Sequence, residues 1–487
     1  MEKRWIIVFD EYEGLKEKAI EIISGMVSGF VKYVLLAKRI DDILDDEIKE
    51  FNIIAVGQAT TNRLLQLCQT GGYLTIPKQS EGYSIYVGEN PLNSKTQIIA
   101  IAGYDDKGVL YGCVDFCNKY CGHIAYQRGD LFGENYFNEP FNVEMPSWKY
   151  SVSPAVKTRA LWTWGHVIYD YKKFFENMLK LRLNEVVIWN DCVPLNAKKV
   201  VEYAHSLGIK VIWGFAWGWA VKCDEILNSM NEKSLQTLKE NVLNTYQTQY
   251  ADVGGDGIYF QSFTELNTDN VGGKCIAEIV TELVNDISGA LFERYPDLHI
   301  QFGLHATSVK THLDILQKVD NRICIVWEDC GAFPYDYSAN KIENFDETVL
   351  LVKKLLTLRG ETEAFGSVLK GMLKLDWELF EHFSGPYILG ERTNGYLKAR
   401  QKKKDKIWKI VQSAWLKNAD YAREMIAIIA RDGKNPIVQA LVEDSMFENK
   451  IVFPVALYAE MLWTPMVETK DLMEIVACYP CVEFVNV

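Results

Sequence analysis

Residues 157–166 read KTRALWTWGH, 185–191 read EVVIWND, 210–217 read KVIWGFAW and 257–265 read GIYFQSFTE. Each is a short apolar run rich in β-branched and aromatic residues, as buried strands are. Helical spacing follows most such runs, at Tyr171–Leu181, Ala197–Leu207 and Glu278–Phe292. Three more runs continue the alternation, at His299–Leu304, Ile323–Trp327 and Ala364–Leu369, and a weaker eighth is read at Tyr387–Leu389. Repeated strand–helix units over residues 151–392 predict an α/β fold, a (β/α)8 TIM barrel. The rival, an open doubly wound sheet, calls for a glycine-rich phosphate loop after its first strand, and no G-x-G-x-x-G occurs.

Working outward, residues 1–150 predict a small α/β domain. Its strands are Trp5–Phe9, Val34–Ala37, Ile53–Val56, Tyr83–Val87 and Ile98–Ala102, with helices at Glu13–Phe30 and Asp106–Tyr120. Asp105 and Asp106 are natural caps for the second helix. Glu134–Pro154 carries three prolines without a period and reads as a linker. Residues 393–487 show helical spacing at Lys406–Ala430, Pro436–Asp444 and Val452–Leu462, which predicts a C-terminal helical domain. A closing strand is allowed within Val476–Val487.

The chain has 487 residues, 48% hydrophobic and 24% charged, the composition of a globular protein. No apolar stretch is long enough to span a bilayer. The N-terminus, MEKRWIIVFDEYEG, reads as a strand and not as a secretory signal, so a cytoplasmic address is expected. A net charge of −13 argues against a nucleic-acid partner. The basic run Lys398–Lys409 reads as a solvated helix face. Of eleven cysteines, Cys113, Cys117 and Cys121 recur every four residues as a buried stripe, and Cys478 and Cys481 form a single C-x-x-C. Reduced thiols are expected.

Reactive groups in such barrels lie at the C-terminal ends of the strands. Read in order, those ends offer Trp162, Trp164 and His166; Asn190 and Asp191; Trp217 and Trp219; Glu265; His305; Trp327, Glu328 and Asp329; and Lys370. Tryptophan faces stack on pyranose rings, and carboxylates and amides bond their hydroxyls. Paired carboxylates are what glycosidic cleavage requires: one protonates the leaving oxygen while the other activates water or attacks carbon. Glu265, Glu328 and Asp329 are the candidate catalytic acids. Trp162, Trp164, Asn190, Asp191, Trp217, His305, Trp327 and Lys370 are the candidate substrate contacts. Trp213, inside its strand, reads as packing. The bland alternative has the tryptophans filling the barrel, and the acids capping helices or pairing with Arg159, Lys370 or Arg392.

The segments Glu81–Val87 (EGYSIYV) and Ile98–Gly112 (IIAIAGYDDKGVLYG) resemble the small N-terminal domain of several exo-acting glycoside hydrolases. β-N-acetylhexosaminidases, O-GlcNAc hydrolases and α-glucuronidases share that domain and place a barrel after it. The outline is most similar to the α-glucuronidases. The resemblance implies a terminal-sugar hydrolase acting on an oligosaccharide or glycoside, hexosaminide- or uronic-acid-directed, with neither metal nor cofactor. It maps Glu265 onto the general acid and Glu328 or Asp329 onto the base. Acetamido-assisted relatives carry two adjacent acids at the fourth strand, where this chain has Thr264-Glu265. Two other classes stand beside this one. A metal-dependent sugar isomerase or epimerase would use Glu265, His305, Glu328 and Asp329 as Mn²⁺ or Mg²⁺ ligands, and an inactive homologue would bind carbohydrate without cleaving it.

Overall fold

The computed structural model describes residues 3–122, 146–165, 168–190, 192–217, 232–265, 268–271, 273–305, 309–329, 344–359, 365–372, 385–390, 392–442, 447–448 and 450–485, with Glu232, Glu265 and Lys370 described in backbone alone. His166, Asp191 and Trp219 lie outside these residues.

Eight parallel strands close into a barrel: Thr158–Trp164, Glu185–Trp189, Lys210–Gly214, Gly257–Gln261, His299–Leu304, Ile323–Glu328, Phe365–Met372 and Ile437–Val442. The first seven fall where the apolar runs predict them. The eighth does not. Tyr387–Leu389 is an irregular segment whose Tyr387 carbonyl accepts from the Leu195 amide at 2.9 Å. The closing strand comes instead from Pro436–Asp444, read from sequence as helical. Ile437–Val442 pairs with Phe365–Met372 on one side and Thr158–Trp162 on the other. A strand buried on both faces is apolar throughout, so it mimics a short buried helix. The barrel thus extends beyond residue 392.

A six-stranded sheet precedes the barrel in the order Leu36–Arg39, Trp5–Phe9, Asn52–Gly57, Asn93–Gly103, Tyr83–Asn90, Trp148–Val152. The last of these, within the stretch read as a linker, pairs antiparallel with Tyr83–Val87. The helix Asp106–Asp115 starts at Asp105, whose carboxylate accepts from the Gly108 amide at 2.8 Å. Its first turn presses so closely on the sheet that a Cβ at Gly103 would lie 2.2 Å from the Val109 nitrogen. Cys113, Cys117 and Cys121 are buried along this helix and the π-helical turn that follows, and burial pushes the thiols up. No described helix is long and apolar enough to cross a membrane.

Sheet, barrel and C-terminal helices meet at a buried charge network. Arg182 pairs with Asp115 at 3.2 Å and with Glu460, and Lys119 reaches Glu460 at 2.7 Å and Asp115 at 3.2 Å. Arg159 pairs with Glu81, and the Arg159 and Arg182 guanidinium groups lie 4.7 and 4.5 Å from the ring centroid of Trp463. Burial alone would raise the Glu460 carboxyl, but the Lys119 and Arg182 charges outweigh it and hold it well below the carboxylate range. Arg182→Met would leave Asp115 and Glu460 facing one lysine. The expected loss is about 3–5 kcal/mol, read from denaturant unfolding.

Lower in the barrel, Gln301 donates to Glu185 at 2.9 Å, and Gln439 donates to Gln301 at 2.6 Å. Burial raises the Glu185 carboxyl from 4.5 to about 7. Protonated Glu185 therefore favours the folded state. That contribution is complete below pH 4.5 and is lost as pH rises through 7. Glu185→Gln should gain stability over wild type between those values, levelling off at roughly 3 kcal/mol, measured by unfolding across the pH range.

Candidate functional site

Strand alternation decides which side chains enter the barrel. On the first two strands Trp162, Trp164 and Trp189 point inward and pack with Tyr259. Trp164 stacks on Trp189 at 4.9 Å, and Trp162 meets Tyr259 edge-on at 5.7 Å. These rings fill the upper barrel and are buried.

The same alternation separates other candidates. On the sixth strand, Trp327 belongs to the outer core with Ile323 and Ile325, whereas Cys324 and Val326 face the interior, on the side from which Glu328 projects. Trp217 lies in the outer core too, stacked on Phe260 at 3.7 Å. Both tryptophans, expected at the mouth, pack between strands and helices instead. Trp213 is likewise outer packing.

Glu328 and His305 come together. The register pairing Leu304 with Trp327 brings them to adjacent strand ends, and His305 Nε2 lies 2.8 Å from Glu328 Oε2. Glu328 Oε1 accepts from the Tyr259 hydroxyl at 2.7 Å and from Gln261 Nε2 at 2.6 Å. Burial first, and then the Glu328 charge, push the Tyr259 phenol well above its ordinary range, so it stays a donor. Tyr259 and Gln261 were not singled out from sequence. Their signal is a polar group at i and i+2 of an otherwise apolar strand, GIYFQ. Gly303 is also required: a Cβ there would lie 2.4 Å from Glu328 Oε1 and 2.4 Å from the Tyr259 hydroxyl.

Glu265 ends a 3-10 turn, Phe263–Glu265, directly after the fourth strand, and its side chain lies outside the described residues. The turn is tied to the His305 strand end, because the His305 amide donates to Thr264 Oγ1 at 3.3 Å. Asp329 is buried beyond the sixth strand, its amide donating to the Val368 carbonyl at 3.1 Å. Asn190 is buried after the second strand, and its Oδ1 has no hydrogen-bond partner among the described residues. Lys370 lies on the seventh strand. Near the ends of the first two strands a pocket of about 490 Å³ is lined by Gly165, Tyr169, Leu195, Tyr387, Ile388 and Arg392. Among the described residues no group of three His, Cys, Asp or Glu side chains is placed to hold a metal ion.

No family model matches the chain, and no curated protein does. Solved structures do. CpGH84D superposes with a TM-score of 0.51 at 11% identity, over 96% of this chain and 67% of that one. CpGH84B gives 0.51 at 12%, over 98% and 70%. A point mutant of Streptomyces plicatus β-hexosaminidase, in complex with its product GlcNAc, gives 0.51 at 9%, over 99% and 92%. At these identities the likeness defines an architecture: the chain has the TIM-barrel fold of these proteins.

Gly303→Ala should force the carboxylate and phenol apart and cost about 1–3 kcal/mol. Gly25→Ala, in a helix with nothing within 4 Å of the added Cβ, is the control, with an expected gain of up to about 1 kcal/mol. Urea unfolding of both variants checks the contrast.

Proposed function

We propose that the protein is an exo-acting glycoside hydrolase that removes a terminal sugar from an oligosaccharide or glycoside. Glu265 is the general acid, and the Glu328–Asp329 pair supplies the second carboxylate function. Trp164, Asn190, Asp191, His305 and Lys370 line the sugar site, with Trp162 packed beneath it. The observation that carries the reading is the cluster at one end of the barrel: a buried carboxylate–imidazole pair beside the turn that bears Glu265, above tryptophan-rich packing.

A hexosaminide is the substrate class favoured by the likeness to β-hexosaminidase bound to GlcNAc. A uronic acid remains the second class, because Thr264 stands where acetamido-assisted enzymes carry an acid. Thr264 is fully buried and engaged with the His305 backbone, so its hydroxyl serves the fold. Trp217 and Trp327 have no part in the site.

An aryl-glycoside panel spanning hexosaminides and uronides tests the proposal. Wild type should cleave at least one member, and Glu265→Gln should lower kcat/KM on it by about 10²–10⁴. Undiminished turnover in the variant would remove Glu265 from the acid role.

A further inference from the structure

We infer that the pocket beside the first two strand ends holds a carboxylate-bearing sugar on the leaving-group side of the cleaved bond, with Arg392 as its anchor. The inference rests on the glycosidase reading above and names the unit next to the terminal sugar, a hexuronate.

The pocket is a built site. Its outer wall is the irregular segment 387–390, which has no sheet ladder to hold it and is pinned by other bonds. The Leu195 amide donates to the Tyr387 carbonyl at 2.9 Å, and the Tyr171 amide to the Gly390 carbonyl at 3.3 Å. The Asn196 side chain accepts from the Leu389 amide at 2.9 Å and donates to the Leu389 carbonyl at 3.1 Å. The Arg392 amide donates to the Tyr169 carbonyl at 3.0 Å, which fixes where its side chain starts. The enclosed volume, about 490 Å³, suits one sugar ring.

Arg392 is the one charged residue among the described lining residues. It is exposed, and its guanidinium lies 5.4 Å from the ring centroid of Tyr396. No described carboxylate is within ion-pair distance of it. The neighbouring acids are engaged: Asp170 caps a helix and lies 3.5 Å from Lys173, and Glu448 accepts from the Tyr169 amide. A guanidinium fork matches a carboxylate with two parallel hydrogen bonds. One cation balances one carboxylate, whereas a phosphate dianion calls for a second. At the rim Leu195 and Ile388 are 73% and 56% exposed, an apolar surface for the C–H face of a sugar ring.

This pocket lies apart from the point of cleavage. The barrel order sets the first and second strands across from the fifth and sixth, whose ends carry His305 and Glu328. An exo-acting enzyme holds the terminal sugar at the cleaved bond, so a sugar bound elsewhere on that face belongs to the leaving group.

Two measurements test this. In calorimetric titrations with D-glucuronic acid and D-glucose, wild type should bind the acid more tightly. Arg392→Gln should weaken that binding roughly 10–100-fold, the scale of hydrogen bonds to a charged group. Arg392→Lys should recover part of it, because the charge returns without the fork. Lys398→Gln, the same charge change on an exposed residue outside the pocket, is the control and should bind like wild type. No binding of glucuronic acid, equal binding of both sugars, or undiminished binding by Arg392→Gln overturns the proposal. This readout stands even if no glycoside is cleaved, an outcome that would count against the glycosidase reading alone. The second measurement uses the terminal sugar of a cleaved aryl glycoside, linked instead to glucuronic acid or to glucose. Wild type should favour the glucuronic acid partner in kcat/KM, and Arg392→Gln should erase the preference. A preference that survives in Arg392→Gln overturns the role of Arg392. A preference for terminal uronides that disappears in that variant would put the carboxylate on the cleaved sugar and overturn the leaving-group placement.

Discussion

A parallel barrel has no edge, and that constraint organises the rest of the molecule. Every strand must find neighbours on both sides, or a row of buried amides and carbonyls is left without partners. Strands one to seven run from Thr158 to Met372, and the gap between first and seventh is closed by Ile437–Val442. The 39-residue helix Asn394–Asp432 falls between the seventh and eighth strands in sequence, so the C-terminal block is not separate from the barrel. The helix Phe453–Trp463 reinforces the closure. The Tyr458 hydroxyl lies 2.9 Å from the Ala160 carbonyl on the first strand and 3.0 Å from the Val438 carbonyl on the eighth.

The charge network extends that closure to the N-terminal sheet. Charges are costly to bury unless each meets an opposite charge with good geometry. Here Asp115 and Lys119 come from the first block, Arg182 from the barrel and Glu460 from the last helices. None of them could be removed from water without the others. Trp463 between two guanidinium groups adds cation–π contact at the same junction. Glu81 and Arg182, two of the three non-glycine residues with positive φ among the described residues, are ion-pair members there. The sheet is joined to the barrel by charge as well as by a continuous apolar core.

The candidate site depends on both features. Closure sets the strand register, and register brings His305 to Glu328. The polar groups that hold Glu328 come from the fourth strand, across the fifth. A carboxylate in this position is fixed by residues dozens of positions away in sequence, and tuned by a glycine that contributes only space.

Local pattern was sufficient for much of this. Apolar runs with turn punctuation placed seven barrel strands, and Asp105 marked a helix start that its side chain caps. Chemistry at strand ends made Glu265, His305, Glu328 and Asp329 stand out, because barrel topology exposes those positions. Local pattern failed where a segment's meaning depends on what covers it. Ile437–Val442 is apolar on both faces, so only its neighbours make it a strand, and Trp148–Val152 becomes a strand because Tyr83–Val87 offers an open edge. Trp327 and Glu328 are adjacent in sequence, yet alternation sends them to opposite sides of the barrel wall. The sequence by itself determined which residue types stand at the strand ends, through short-range spacing. The tertiary structure decided which of them meet, because hydrogen-bond register and strand parity exist only once the strands are paired.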